Sequence, residues 1–158
     1  MISNRNSRNL KLDQITLDKN IQPRVVIQKQ IIINYWDSYL QGDKFPNVTV
    51  FFDGKKYWLA DGWHRYFAVQ LAKFADIGCD VIDGTYRDAL CFSLSANRTH
   101  GKNNNLKDKH RIVMSFVNNP ETCHMGVRET NRASGLPMQS ISNILLDIAE
   151  QKTEKILL

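Results

Sequence analysis

The sequence predicts a mixed α/β domain followed by an all-α segment, and three local patterns carry that expectation. Residues 48–58 place β-branched and aromatic side chains on both sides of Asp53-Gly54, as a β-hairpin with a tight turn requires. The second hairpin strand then runs through Asp61-Gly62 into helical spacing at Phe67, Ala68, Leu71 and Ala72. Near Leu106 the composition changes from mixed to helical and basic.

Taken in chain order, residues 1–9 are polar and basic and read as a flexible arm. Leu10, Leu12, Ile15 and Leu17 form a short strand with its turn, and the proline of Gln22-Pro23-Arg24 imposes extended backbone. Ile27, Ile31, Tyr35 and Tyr39, widened by Trp36 and Leu40, make an amphipathic helix that Gly42 stops. Asp53-Gly54 suits a type I′ turn. Residues 79–82 read as a strand, 86–96 as a helix and 102–105 as a polar loop. From Leu106 to Val117 the apolar positions Ile112, Val113, Phe116 and Val117 oppose Lys107, Lys109 and Arg111, and Asn118-Asn119-Pro120 ends that helix. The expected division is an arm (1–9), an α/β domain (10–104), a helical part (105–150) and a C-terminal tail (151–158).

Composition narrows the function classes. With 158 residues, 42% apolar and 23% charged, the chain has the make-up of an ordinary globular domain. No apolar run exceeds four residues, as at Tyr57 to Ala60, so no membrane-spanning helix is expected. The first nine residues lack the apolar core of a secretory signal, and the expected location is the cytoplasm. Cys79, Cys91 and Cys123 form no C-x-x-C pair and are expected to be reduced and partly buried. His64, His100, His110 and His124 show no i, i+4 pairing, so no metal site is expected. Neither a Walker-type phosphate loop nor a Gly-x-Ser-x-Gly elbow is present. The net charge of +5 suits an anionic partner. Between Ser95 and Arg132, seven basic residues stand against three acidic ones.

The turn at Asp61 to Arg65 is the first candidate site. A strand entering a helix through a glycine gathers unpaired backbone N–H groups and the positive helix end at one point, which receives anions. His64 and Arg65 would add charge-assisted contacts. The alternative is a structural turn, with His64 bonded to a carbonyl and Arg65 paired with an acid such as Asp61.

The run Ala60-Asp61-Gly62-Trp63-His64-Arg65-Tyr66-Phe67-Ala68 resembles the phosphate-binding segment of the ParB/sulfiredoxin superfamily. It stands where ParB proteins carry Gly-Glu-Arg-Arg-x-Arg-Ala and sulfiredoxins Gly-Cys-His-Arg-Tyr. Gln22-Pro23-Arg24 is similar to the ParB-type Gln-Pro-Arg, and residues 95–101 fall where ParB has Glu-Asn-x-x-Arg. The resemblance, from Leu10 to Val117, implies a ParB/sulfiredoxin-like mixed α/β fold. It also implies a site for a nucleoside triphosphate, CTP or ATP with Mg2+, at Gly62, His64, Arg65, Asn97 and Arg24. Two positions depart from the pattern. Trp63 replaces the sulfiredoxin cysteine, and an indole cannot attack a sulfinic phosphoryl ester, which excludes sulfinate reduction. Ala96 stands where ParB has a magnesium-associated glutamate, and a methyl group cannot ligate a hard cation, which speaks against nucleotide hydrolysis.

From Val127 onward the pattern is that of an all-α helix-turn-helix segment. Gly135 fits the turn, Pro137 the first turn of the next helix, and Ile141, Ile144, Leu145 and Ile148 give that helix one buried face. Gln139, Ser140, Ser142 and Asn143 lie on its other face and suit base edges and phosphates. The alternative is an αα-hairpin with a polar outside. Asn131 occupies a position usually held by alanine, where a buried unpaired amide would cost about 1 to 3 kcal/mol. The run from Ala96 to Ile144 resembles ParB-like regulators of the StrR type.

The expected function is therefore that of a ParB-like, nucleotide-responsive transcriptional or plasmid-partition regulator. Gln139, Ser140, Ser142 and Asn143 would read double-stranded DNA, while Lys107, Lys109, Arg111, Arg128 and Arg132 contact phosphates, in a homodimer. Two rival readings are a nuclease or phosphotransferase in which Asp53, Asp61 and Asp83 converge, and a binding module without nucleotide function.

Overall fold

The computed structural model describes residues 5–22, 27–96 and 105–158. Two compact units divide after Ser93. The division thus falls inside the helix expected at 86–96, upstream of the change in composition near Leu106.

In the first unit, β1 (Arg5–Lys11), β2 (Ile15–Thr16), β3 (Val48–Phe52), β4 (Tyr57–Asp61) and β5 (Asp76–Asp83) form one sheet in the order β1-β5-β3-β4-β2. β1 runs antiparallel to β5 and β3 antiparallel to β4, while β5 pairs with β3, and β2 with β4, in parallel. β1 and β2 are the two edges, yet only the 3₁₀ turn Leu12–Gln14 separates them. In a flat sheet the outer strands would lie about 19 Å apart, whereas the four Cα steps from Lys11 to Ile15 reach at most about 14 Å. The sheet therefore has to curl. The turn is pinned where the edges meet, by the Tyr66 hydroxyl on the Leu12 carbonyl (3.1 Å) and the Leu12 N–H on the Ala75 carbonyl (3.2 Å). Arg8 of β1 correspondingly reaches the hydroxyl and ring of Tyr57 in β4.

The central strand β3 is covered on both faces, and its residues alternate between two cores. Val48 and Val50 belong to a cluster with Leu10, Leu59, Ile77 and Val81, closed by Tyr66 and Val69 of α2 (Trp63–Leu71). Phe51 joins Ile21, Ala60, Ile82 and Ala89, the last from α3 (Tyr86–Ala96). The helix α1 (Lys29–Leu40) packs on α2 and holds no fully buried residue, so its expected apolar stripe is half-covered rather than sunk in the core.

Several expectations are corrected. Residues 5–9 are not an arm but most of β1. That segment is polar on both faces and exposed, so side-chain periodicity could not mark it; ladder bonds to β5 make it a strand. The hairpin turn is a four-residue loop rather than type I′, since Gly54 has φ +95° while Asp53 lacks the positive φ that turn requires. One Asp53 carboxylate oxygen accepts the N–H groups of Lys55 and Lys56, and the other accepts Trp58 Nε1–H at 2.9 Å. Cys79 is buried as expected, but Cys123 is exposed. Lys73, which follows α2, holds φ +60° and is the only non-glycine with positive φ among the described residues. Lys73→Gly is therefore expected to stabilise the protein by about 1 kcal/mol, read from urea midpoints.

The second unit packs α4 (Leu106–Val117), α5 (Val127–Ser134) and α6 (Met138–Leu157) against one another. Asn105 caps α4 by accepting the Asp108 N–H at 2.8 Å. Ile112, Val113 and Phe116 of α4 are buried, as are Ile141, Ile144 and Ile148 of α6, while Leu145 is half-buried. Residues 151–158 are no tail: α6 continues through Leu157 with every residue after Ile148 exposed. Apolar periodicity stops near Ala149, but Glu, Gln and Lys keep the helix going by propensity.

Candidate phosphate-binding turn and nucleic-acid surface

β4 delivers Asp61 to the turn through an irregularity: Val50 pairs with Leu59 and Thr49 with Asp61, leaving Ala60 as the extra residue of a bulge. Gly62 follows with φ +98° and ψ +27°, and its carbonyl accepts the Tyr66 N–H at 2.9 Å as the first bond of α2. A glycine cap has no side chain to place over the helix start, so the N–H groups of the first turn have no partner within the helix. The glycine itself is demanded by the fold. A Cβ at Gly62 would lie 2.5 Å from Val48 Cγ1 and 2.8 Å from Val48 Cβ, inside the buried core.

Arg65 and His64 are both engaged by the protein. Arg65 Nη1 donates to the carbonyls of Pro46 and Asn47, the latter at 2.9 Å, and Nη2 stands 3.4 Å from Asp61 Oδ2. Its guanidinium ties the loop before β3 to the helix start, as the structural-turn alternative anticipated in pairing it with Asp61. His64 accepts the main-chain N–H of Gln28 through Nε2 at 3.2 Å, a contact neither reading named. Trp63 packs against the first core with its Nε1–H buried and unbonded, an uncompensated donor that costs about 1 to 3 kcal/mol. Arg24 and Asn97 lie outside the described residues.

Behind Arg65 lies a polar cluster the sequence reading missed. Asp80 Oδ1 accepts both Asn47 Nδ2–H and Ser7 Oγ–H at 2.8 Å, with Arg5 Nη1 4.0 Å from Oδ2. The one sequence signal was an acid inside the apolar run of β5. The bonds from Asn47 and Ser7 hold the Asp80 carboxyl below the usual carboxylate range. Because its folded pKa lies below its unfolded one, the stability it contributes is present above about pH 4 and is lost as pH falls through the folded value. Asp80→Ala is accordingly expected to lower stability at pH 7 by about 1 to 2 kcal/mol, with the gap closing toward pH 2 in acid-titrated urea melts.

Among the described residues, no three His, Cys, Asp or Glu side chains come together to hold a metal. The convergence of Asp53, Asp61 and Asp83 that the rival enzyme reading needs does not occur. Register places Asp61 beside Thr49 and Asp83 beside Phe52, about 10 Å apart along β3, while Asp53 is committed to its own loop. Burial pushes the Cys79 thiol up to about 11, far from a thiolate nucleophile.

In the second unit, Gly135 ends α5 with φ +69°, and Gly135-Leu136-Pro137 leads into α6. Asn131 avoids the penalty its position suggested. Its Nδ2–H donates to the Leu136 carbonyl at 2.7 Å while its own carbonyl accepts the Gly135 N–H at 2.7 Å. Ser134 donates to the Thr130 carbonyl and accepts the Leu136 N–H. Asn131→Ala is expected to cost about 1 to 2 kcal/mol in chemical denaturation, because the buried Leu136 carbonyl loses its donor. Gln139 and Asn143 are exposed and joined by a 2.9 Å bond from Gln139 Nε2 to Asn143 Oδ1, and Ser140 and Ser142 are half-buried. Arg128 and Arg132 are exposed one turn apart on α5; on α4, Lys107 is exposed and Lys109 and Arg111 are half-buried.

No family model matches this chain, and no curated protein matches it in sequence. Solved structures do. The C-terminally truncated chromosome-partitioning protein ParB from Caulobacter crescentus, complexed with CTP-γ-S, aligns with TM-score 0.53 and 14% identity over 91% of this chain and 79% of that one. The same protein complexed to the centromeric parS site aligns with TM-score 0.51 and 14% identity over 87% and 69%. A pNOB8-like ParB-N domain aligns with TM-score 0.54 and 8% identity over 89% and 62%. No helix among the described residues is long and apolar enough to cross a membrane. The chain has the fold of ParB N-domains, built from a curled five-stranded mixed sheet with its helices.

Proposed function

We propose that this chain is a nucleotide-responsive DNA-binding protein of the ParB kind, serving transcriptional regulation or plasmid partition. The observation that carries the reading is the fold shared with a ParB whose structures hold CTP-γ-S in one case and the parS site in another. The glycine-led start of α2 is the phosphate locus in this reading. Main-chain N–H groups after Gly62 take phosphate oxygens, His64, Arg24 and Asn97 assist, and Arg65 shapes the turn from behind. The nucleotide is CTP or ATP with Mg2+, bound and not hydrolysed because Ala96 supplies no carboxylate.

The second unit is the DNA-binding part. Gln139, Ser140, Ser142 and Asn143 of α6 read base edges as the second helix of a helix-turn-helix, and Lys107, Lys109, Arg111, Arg128 and Arg132 contact phosphates. One such helix covers a half-site, so the working form is a homodimer. The deciding experiment selects bound duplexes from a random pool with Mg2+ and nucleotides at two salt concentrations. A two-fold-symmetric motif whose preferred base changes in Asn143→Ala supports the reading. Binding without enrichment that collapses in salt leaves only phosphate contacts, and calorimetric silence with both CTP and ATP removes the nucleotide part.

A further inference from the structure

The imidazole of His64 bonds the residue before α1 to the candidate turn. None of the α1 residues is fully buried, and the helix is anchored at its C-terminal half by rings. Tyr35 and Tyr39 lie 5.0 and 4.7 Å from Phe45, and Tyr39 lies 6.4 Å from Phe74. At the other end, the N-cap residue Gln28 places no side chain over the helix start. Its main-chain N–H instead donates to His64 Nε2, across 36 positions of sequence. For that bond Nε2 must carry no hydrogen, so the ring is the neutral form protonated on Nδ1.

A phosphate oxygen makes the opposite demand. It only accepts, so an imidazole that meets it through Nε2 must carry a hydrogen there. Nε2 has one lone pair in the ring plane and cannot serve Gln28 and a phosphate at once. We propose that His64 is a latch between the turn and α1. In the arrangement described, Nε2 accepts from Gln28 and holds the start of α1 against α2. When a nucleoside triphosphate engages His64 through Nε2, the ring takes a hydrogen from solvent at that nitrogen, the Gln28 N–H loses its acceptor, and the start of α1 is released. By linkage, loosening α1 in turn favours the ligand. The inference rests on the reading of the turn as a phosphate site.

The test follows amide exchange residue by residue on the full chain. Without nucleotide, His64→Arg, which has donors but no acceptor, is expected to speed exchange at Gln28 about fivefold, as loss of one hydrogen bond implies. His64→Gln, which keeps an acceptor, should stay near wild type. Adding CTP or ATP with Mg2+, with binding confirmed by calorimetry, should speed Gln28 exchange in the wild type and leave His64→Arg unchanged. Equal exchange in wild type and His64→Arg overturns the latch, as does bound nucleotide with Gln28 still protected. If neither nucleotide binds, the phosphate reading and the release step both fall, while the nucleotide-free comparison still decides whether His64 anchors α1.

Discussion

Gly62→Ala is expected to be the most damaging single methyl addition in the first unit, costing about 2 to 5 kcal/mol in urea denaturation. Two causes add. A non-glycine residue at φ +98° meets backbone strain of about 1 to 2 kcal/mol, and the new Cβ must displace Val48, whose Cγ1 and Cβ lie 2.5 and 2.8 Å away. Val48 is 1% exposed and sits on the central strand, so it has no open space to yield into. Overpacking of that kind costs about 1 to 3 kcal/mol more. Gly42→Ala separates the causes, because Gly42 has φ +86° with nothing within 4 Å of the added carbon. It should show the backbone part alone. Equal losses at Gly42 and Gly62 would disprove the steric part, and a smaller increment for Gly62→Ala in a Val48→Ala background would support it. Against a domain stability of about 5 to 15 kcal/mol, the Gly62 variant approaches unfolding.

Arg65→Met should cost about 2 to 4 kcal/mol and should do so without any nucleotide present. The Arg65 side chain is 14% exposed and donates through one nitrogen to two successive carbonyls, of Pro46 and Asn47. Methionine fills similar volume but leaves both acceptors without that donor. The Asp61 partner adds little, since its carboxylate is 44% exposed and regains water. Arg65→Lys should recover less than half of the loss, because one ammonium on a flexible stem does not reproduce the planar fork. A residue serving only as a ligand contact would behave oppositely, losing nucleotide affinity while its melting curve stayed in place. Melts and nucleotide titrations on the same variants separate the two roles.

The elements legible in the sequence are those whose cause is local. The hairpin around Asp53-Gly54, the helix start after Gly62 and the buried faces of α4 and α6 follow from φ preferences and 3.6-residue spacing. Gly135 marked its turn for the same reason, since left-handed backbone selects glycine nearby. The candidate turn was found this way too, as a glycine between a strand and a helix. The Arg65–Asp61 pair was legible as well, but the bonds of Arg65 to Pro46 and Asn47 and of His64 to Gln28 were not, because they span 19, 18 and 36 positions.

β1 shows the same limit from the side of the fold. Arg5 to Asn9 bury nothing, so no periodicity announces a strand; the segment is ordered by a ladder to β5, more than sixty residues on. The curl of the sheet follows from that pairing together with the short link to β2, and neither is written in either segment alone. Asn131 makes the point at short range: its amide is harmless only because the turn brings the Leu136 carbonyl within 2.7 Å. The helices, the hairpin and the glycine turns were readable along the chain because dihedral preference and hydrophobic period act over a few residues. Tertiary structure decided the edge strand, the curl, and which polar groups at the turn are already bonded, because a hydrogen-bond partner is chosen by distance in space.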